Sequence, residues 1–96
     1  MQVTIVNGTS GNVCKCGDWL SHWKKFSGQP VPQYCSELGC SSNELVGAHV
    51  QKHGSSDQGP YIIPLCKNHN ASEGATFSVG DHLKLVSANV SRTCGK

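Results

Sequence analysis

The chain has 96 residues, of which 36% are hydrophobic, and a formal net charge of +2 at pH 7. This length suits one domain, which buries about 60% of its unfolded surface, so a metal or disulfide staple is expected beside a marginal core. The charge is too low for the basic footprint of a dedicated nucleic-acid binder. No apolar run approaches the ~20 residues of a membrane span.

The N-terminal segment, residues 1–27, predicts a strand followed by a helix. Residues 1–6 are rich in β-branched side chains, and Asn7-Gly8 indicates a turn. Asp18 is the expected N-cap of a helix from Trp19 to Phe26. Aromatic residues recur on one face of this helix at helical spacing and predict a core contact, with a surface that stacks on bases as the alternative. These residues are Trp19, Trp23 and Phe26.

The middle and the end of the chain alternate between turn signals and short apolar runs. Residues 28–32 break the helix, and Gly39 indicates a turn between Cys35 and Cys40. We predict a strand over 44–50, a polar loop over 51–59, a strand over 61–63 that Pro64 ends, and a helix over 66–73 stopped by Gly74. The C-terminal segment 76–94 predicts a hairpin of residues 77–79 and 83–86 around Gly80-Asp81.

Two pairs of soft ligands indicate a structural zinc site. Cys35 and Cys40 form the first pair, and Cys66 and His69 form the second, after 25 intervening residues. Zinc takes thiolate sulfur and imidazole nitrogen, and structural sites use four such ligands in a tetrahedron. The alternative is buried free thiols and a surface histidine.

Three further cysteines predict a second zinc site. Cys14 and Cys16 point to one face of an extended backbone, and Cys94 lies in the tail. The expected fourth ligand is His22, on the helix that follows Cys16, with His82 as the runner-up. The alternatives are reduced thiols or a disulfide from Cys94 to Cys14 or Cys16.

The choice between zinc and disulfides depends on the compartment. No charged and then apolar leader precedes residue 20, so we expect a cytoplasmic protein. Paired cysteine and histidine in an intracellular chain favour metal binding over disulfides. Three disulfides in a secreted chain are the alternative.

The segment from Cys35 to Cys40 forms a two-thiol knuckle, and the order of knuckle, strand, loop, strand and C-x2-H before a helix resembles a treble-clef zinc module. More narrowly, residues 35–74 resemble the ββα-metal (HNH-type) nucleases, and the segment LCKNHNASEG is similar to the zinc-binding segment of the recombination endonuclease VII family. The resemblance implies that His49 is the general base and that Asn70 binds a catalytic Mg²⁺ or Mn²⁺. Ala48 stands where these families carry an acidic residue, and Tyr61 stands near their central Asn.

The sequence therefore predicts a small zinc-stabilised α+β domain with a treble-clef or ββα-metal core and an added N-terminal helix. We favour a degenerate HNH-like domain that binds DNA, RNA or, through the Trp19/Trp23 helix, a protein. The alternative is an active endonuclease that hydrolyses phosphodiesters with His49 as base. Without catalysis, His49 would be a packed strand residue or another zinc ligand, and Asn70 an exposed helix residue.

Overall fold

The structure, a computed structural model, describes residues 1–6, 18–56, 60–72 and 74–88. The predicted turn at Asn7-Gly8, three of the six cysteines and the C-terminal tail lie outside these residues. The described part is a small α+β domain, which confirms the predicted class. Its elements are β1 (Gln2–Ile5), α1 (Trp19–Ser27), β2 (Leu45–Lys52), β3 (Tyr61–Cys66), α2 (Lys67–Asn70), β4 (Thr76–Ser78) and β5 (Val86–Ser87).

The five strands form one antiparallel sheet in the order β4-β1-β2-β3-β5. The hairpin of β2 and β3 is its centre, with a register that runs from Leu45 opposite Cys66 to Val50 opposite Tyr61. Both predicted strands of this hairpin are confirmed. No helix in the described ranges is long and apolar enough to cross a membrane.

The expectation that Pro64 ends its strand is wrong. Pro64 lies inside β3, opposite Gly47, and β3 continues to Cys66. The amide of Lys67 donates to the carbonyl of Glu44, 3.0 Å away, and hydrogen-bonded pairs alternate along an antiparallel ladder. The nitrogen of Pro64 therefore faces away from β2, toward an edge that β5 does not reach, so no ladder bond is lost.

The predicted C-terminal hairpin of residues 77–79 and 83–86 is also wrong. β4 pairs with β1, and β5 pairs with β3, so the two segments lie at opposite edges of the sheet. The backbone of Lys84, which lies between β4 and β5 in the sequence, forms hydrogen bonds with α1 and with the segment that follows it. Its carbonyl accepts from Nε1 of Trp23 (2.8 Å), and its amide donates to Oε1 of Gln29 (3.1 Å).

Residues 35–38, in the predicted knuckle, connect the two edges of the sheet. The amide of Ser36 donates to the carbonyl of Pro64 in β3, 3.2 Å away. Two residues later, the amide of Leu38 donates to Ser78 in β4 (2.9 Å), and Glu37 forms a bridge with Val79. The sheet therefore curls around an inner face. The buried residues of that face include Val3, Ile5, Ala48, Val50, Ile63, Leu65 and Val79.

Helix α1 covers the outer face of the central hairpin. Asp18 caps it as predicted, with its carboxylate accepting from the amide of Ser21 at 2.7 Å, and Gly28 ends it with φ of 70°. The expected core role of Phe26 is wrong, because 41% of its surface is exposed. The expected core role of Trp23 is confirmed, and His22 and Ser27 are buried beside it, so the packed face is turned toward His22.

Helix α2 is a single turn and ends before the predicted residue 73. The amide of Ser72 donates to the carbonyl of His69, and the amide of Gly74 donates to the carbonyl of Ile5 at 2.9 Å. Ile5 in turn donates to Ala75. The chain must reach β1 at this point, so its backbone bonds go to the sheet instead of to a second helical turn.

Candidate metal centre

The structure brings together the four residues of the first predicted zinc site. The sulfur atoms of Cys35, Cys40 and Cys66 and a ring nitrogen of His69 all lie within 4.8 Å of one another. The first two residues come from the knuckle, and the other two come from the junction of β3 and α2. Residues distant in sequence thus form one compact group of metal ligands.

The distances in this group fit a tetrahedral ion. Nδ1 of His69 lies 3.2 Å from the sulfur of Cys35 and 3.2 Å from that of Cys66, and the sulfurs of Cys40 and Cys66 are 4.0 Å apart. Bonds of about 2.3 Å to sulfur and 2.0 Å to nitrogen place tetrahedral ligand atoms roughly 3.5–3.8 Å apart. Small shifts would therefore allow all four residues to bind one ion.

Local backbone geometry positions the ligands on each side. In the knuckle, the amide of Cys40 donates to the carbonyl of Glu37, and Gly39 has φ of 90°, a conformation that favours glycine. Cys66 precedes α2 directly, and His69 follows three residues later, so both side chains lie on one side of the helical turn. The spacing C-x2-H thus produces two adjacent ligands.

The sulfur atom of Cys35 depends on its surroundings to become a good ligand. Burial raises its pKa to about 11, although the backbone amide of Cys66 donates to this sulfur at 3.2 Å. At Cys66 burial also opposes ionisation, but hydrogen bonds from the His69 backbone and from neighbouring side chains lower the pKa. A bound cation would supply the charge that keeps the Cys35 thiolate ionised.

His69 is oriented by an aromatic neighbour that the sequence did not reveal. Its ring meets the ring of Phe77 in β4 edge to face, with centroids 4.5 Å apart. This contact holds Nδ1 toward the thiols while the helix itself has only one turn. The sequence spacing between Phe77 and His69 carries no signal for it, because β4 reaches the site through its pairing with β1.

The predicted base, His49, lies on the outer face of β2 beneath α1. Its ring meets Trp19 edge to face at 4.8 Å, and burial together with the charge of His22 lowers its pKa. Ala48, at the position where the resemblance to ββα-metal nucleases implies an acidic residue, is fully buried on the inner face. The geometry favours the interpretation of His49 as a packed strand residue.

Asn70 is the exposed last residue of α2. The helix starts after Cys66, which lies opposite Leu45, and Leu45 is four residues from His49 along β2. Four strand residues span about 13 Å. Asn70 therefore follows the end of the hairpin away from His49, and a catalytic role for the two residues stays a prediction.

Of the second predicted zinc site, only His22 lies within the described residues. It is fully buried, and its Nε2 donates to the carbonyl of Ser87 at 2.9 Å. A metal at His22 would therefore have to use Nδ1. Cys14, Cys16 and Cys94 lie outside the described residues, so this site stays a prediction. The runner-up ligand His82 lies exposed in the turn after Gly80.

Comparison with known proteins does not assign the chain to a family. No protein-family model, no curated protein and no solved structure matches the chain. The similarity to ββα-metal nucleases therefore depends on the motif of residues 35–74 alone.

An apolar groove of about 350 Å³ lies beside the metal ligands and was not predicted. Leu38 on its wall is 59% exposed and Tyr34 is 46% exposed, while the hydroxyl of Ser36 is buried without a hydrogen-bond partner. Such a groove can accept an apolar group that carries one polar atom. Its further lining residues include Trp23, Gln29, Pro30, Pro32, Gly80, His82 and Leu83.

Proposed function

We propose that this chain is a zinc-stabilised binding domain whose metal has a structural role. The observation that carries this proposal is the closed group of Cys35, Cys40, Cys66 and His69. Three thiols and one imidazole match the soft donor set of structural zinc, and four protein ligands leave no coordination position for water or substrate. An ion held in this way stabilises the fold without taking part in a reaction.

The position of the ligands explains what the ion would hold together. Residues 35–38 bond to β3 on one side and to β4 on the other, and Cys66 and His69 belong to the junction of β3 and α2. One ion would therefore tie the segment that closes the sheet to the segment that follows its central hairpin. Loss of the ion would release both at once.

Binding is a better proposal than hydrolysis for two reasons. The position of the acidic metal ligand is taken by Ala48 in the core, and the ring of His49 lies against Trp19. Nucleic acid is the partner that the motif implies, although the net charge is only +2. For a protein partner at α1, the contact residues would be exposed ones such as Lys24 and Phe26, since Trp23 is buried.

A second candidate function, a metal-dependent endonuclease, is supported by the segment LCKNHNASEG. The lowered pKa of His49 keeps its imidazole neutral at pH 7, which a general base requires. In that function His49 would take a proton from water. Mg²⁺ or Mn²⁺ at Asn70 would stabilise the leaving oxygen.

Native mass spectrometry tests the metal proposal. We expect a zinc ion bound by the four ligands in the purified chain and its loss in His69→Asn. The matched control is His53→Asn, because His53 is an exposed histidine whose ring contacts Thr4, far from the four ligands in sequence. A His69→Asn protein that retains the wild-type zinc count would contradict the proposal.

A plasmid-nicking assay and an anisotropy titration separate binding from cleavage. With Mg²⁺ or Mn²⁺, we expect no cleavage by zinc-loaded wild type and a measurable anisotropy change with labelled DNA or RNA. Cleavage that disappears in both His49→Ala and Asn70→Ala, but persists in the control Asn68→Ala, would establish the nuclease instead. Neither binding nor cleavage would direct the search to protein partners.

A further inference from the structure

We infer that Cys40 and Cys66 form an oxidative modification site, at which a peroxide joins the two sulfurs in a disulfide and the metal is released. This inference rests on the proposed zinc site, because the same sulfurs serve as its ligands. It adds a reaction to a centre whose ion has only a structural role.

The exposure of the three cysteines decides which one an oxidant meets first. Cys35 and Cys66 are 6% and 2% exposed, whereas Cys40, the last residue of the knuckle, is half-buried. Oxidation of cysteine depends on thiolate character and on access of the oxidant. A bound zinc ion would keep all three sulfurs as thiolates, so access would distinguish them, and Cys40 is the expected site of attack.

The position of Cys66 makes it the partner that completes the reaction. Its sulfur lies 4.0 Å from that of Cys40, and a disulfide bond is about 2.05 Å long, so an approach of roughly 2 Å is sufficient. The sulfurs of Cys35 and Cys66 each accept a backbone amide hydrogen, so the contact between Cys40 and Cys66 is what selects this pair. Cys40 belongs to a turn in the knuckle, which is the more adjustable side of the pair.

The reaction balances with hydrogen peroxide as the oxidant. The Cys40 thiolate attacks one peroxide oxygen, the O–O bond breaks, and the product is a sulfenic acid with hydroxide as leaving group. The Cys66 thiolate then attacks the sulfenic sulfur and displaces a second hydroxide. Two protons convert both hydroxides to water, two electrons pass from the sulfurs to peroxide, and one S–S bond forms.

The product explains why the metal would leave. Disulfide sulfur is a poor zinc ligand, since zinc binds the thiolate. Only Cys35 and His69 would remain, and two ligands do not make a structural site. The disulfide would still connect the knuckle to the end of β3, whereas α2 would lose its link through His69.

The test is treatment of the zinc-loaded full chain with hydrogen peroxide, with zinc release followed by a chromophoric chelator. Cleavage after Glu37 and after lysine separates the three cysteines into different peptides, so non-reducing mass spectrometry identifies the pair. We expect zinc release together with a peptide linked through Cys40 and Cys66. A dominant link to any other cysteine, or sulfinic acid without a link, would overturn the inference.

Two matched variants locate the reactive sulfur. Cys40→His and Cys35→His each keep four zinc ligands but remove one thiol. We expect zinc release to slow by about tenfold or more in Cys40→His and to stay within about twofold of wild type in Cys35→His. Equal slowing in both would contradict the assignment. If a variant does not bind zinc, the peptide map of wild type decides.

The zinc count before peroxide separates failure of this inference from failure of the proposed function. A chain that never binds zinc contradicts the metal site itself. A chain that binds zinc and keeps it in peroxide, with Cys40 and Cys66 unlinked, contradicts only the modification site.

Discussion

The two sides of the sheet differ in what holds them. On the outer face, α1 has nine residues, a cap at each end, and Trp23 and His22 almost fully buried against the strands. At the other side, α2 has four residues without a side-chain cap or a buried residue. Isolated helices of either length are unstable in water. The first is stabilised by apolar burial, and the second by the ligands around it.

Different interactions therefore stabilise the two regions of this small domain. Burial of a large aromatic side chain stabilises α1 whatever the metal content. The knuckle and α2 meet through three sulfurs and one imidazole, and a bound cation would join the two segments through these four groups. We therefore expect the two regions to respond differently to metal removal, to core substitutions and to pH.

Removal of a metal ligand should have the largest effect. Structural zinc contributes about 10 kcal/mol or more of apparent binding free energy in small domains, which exceeds the stability of most of them. Cys66→Ser, or a strong chelator, should abolish the cooperative thermal transition measured by circular dichroism. Ser41→Ala, a substitution at the exposed residue that follows the knuckle, is the control. An unchanged melting temperature in the chelated protein would show that the knuckle and α2 do not depend on a metal.

Truncation of the main anchor of α1 should come next. Trp23 is 1% exposed and donates its indole hydrogen to Lys84, so Trp23→Ala should lower the free energy of unfolding by about 3–5 kcal/mol. Phe26→Ala, on the exposed side of the same helix, should cost less than about 1 kcal/mol. Urea titration of the zinc-loaded proteins measures both. Similar losses in the two variants would contradict the packing described for α1.

A methyl group between α1 and β2 should have a smaller effect. A Cβ atom at Gly47 would overlap the backbone of Trp19, so Gly47→Ala should cost about 1–3 kcal/mol and alter the near-ultraviolet dichroism of the tryptophans. Gly54→Ala meets no atom within 4 Å but has φ of 73°, so it isolates the backbone cost alone. An unchanged tryptophan spectrum in Gly47→Ala would show that α1 does not lie as described.

The smallest effect should be a pH dependence from His49. Burial lowers the pKa of His49 below its ordinary value of 6.5. The unfolded chain therefore binds more protons than the folded chain as the pH falls below 6.5. The stability that depends on neutral His49 is complete above pH 6.5 and is lost as the pH falls through the folded pKa. Urea midpoints from pH 7.5 to 5, with zinc bound, should fall less in His49→Gln than in wild type. His53→Gln, on an exposed histidine, is the control. The same slope in His49→Gln as in wild type would show that His49 does not contribute to the pH dependence of stability.

Features that depend on neighbours in sequence were predictable. Asp18 was expected to cap α1 because an acidic side chain before an apolar helical pattern can bond to free amides within one turn. The spacing of Cys66 and His69 also places two ligands on one side of a helical turn. Both interactions close within four residues, so no knowledge of the rest of the fold is needed.

Features that depend on a distant partner were not predictable. Phe26 fits the helical face of Trp19 and Trp23, but its exposure depends on where the sheet ends beneath α1. Pro64 normally stops a strand, and it is tolerated only because its side of β3 has no paired strand at that point. β4 and β5 were expected to pair with each other, since a local turn cannot show which strands already occupy the neighbouring edges.

The order of residues alone was enough to identify the four ligands of the candidate metal site, the class of the fold and the central hairpin, because spacing and alternation are local properties. The three-dimensional fold decided that Ala48 faces the core, that His49 lies under Trp19, and that the knuckle joins both edges of the sheet. Those outcomes depend on which surfaces remain open after the strands have paired, and strand pairing involves residues far apart in the chain.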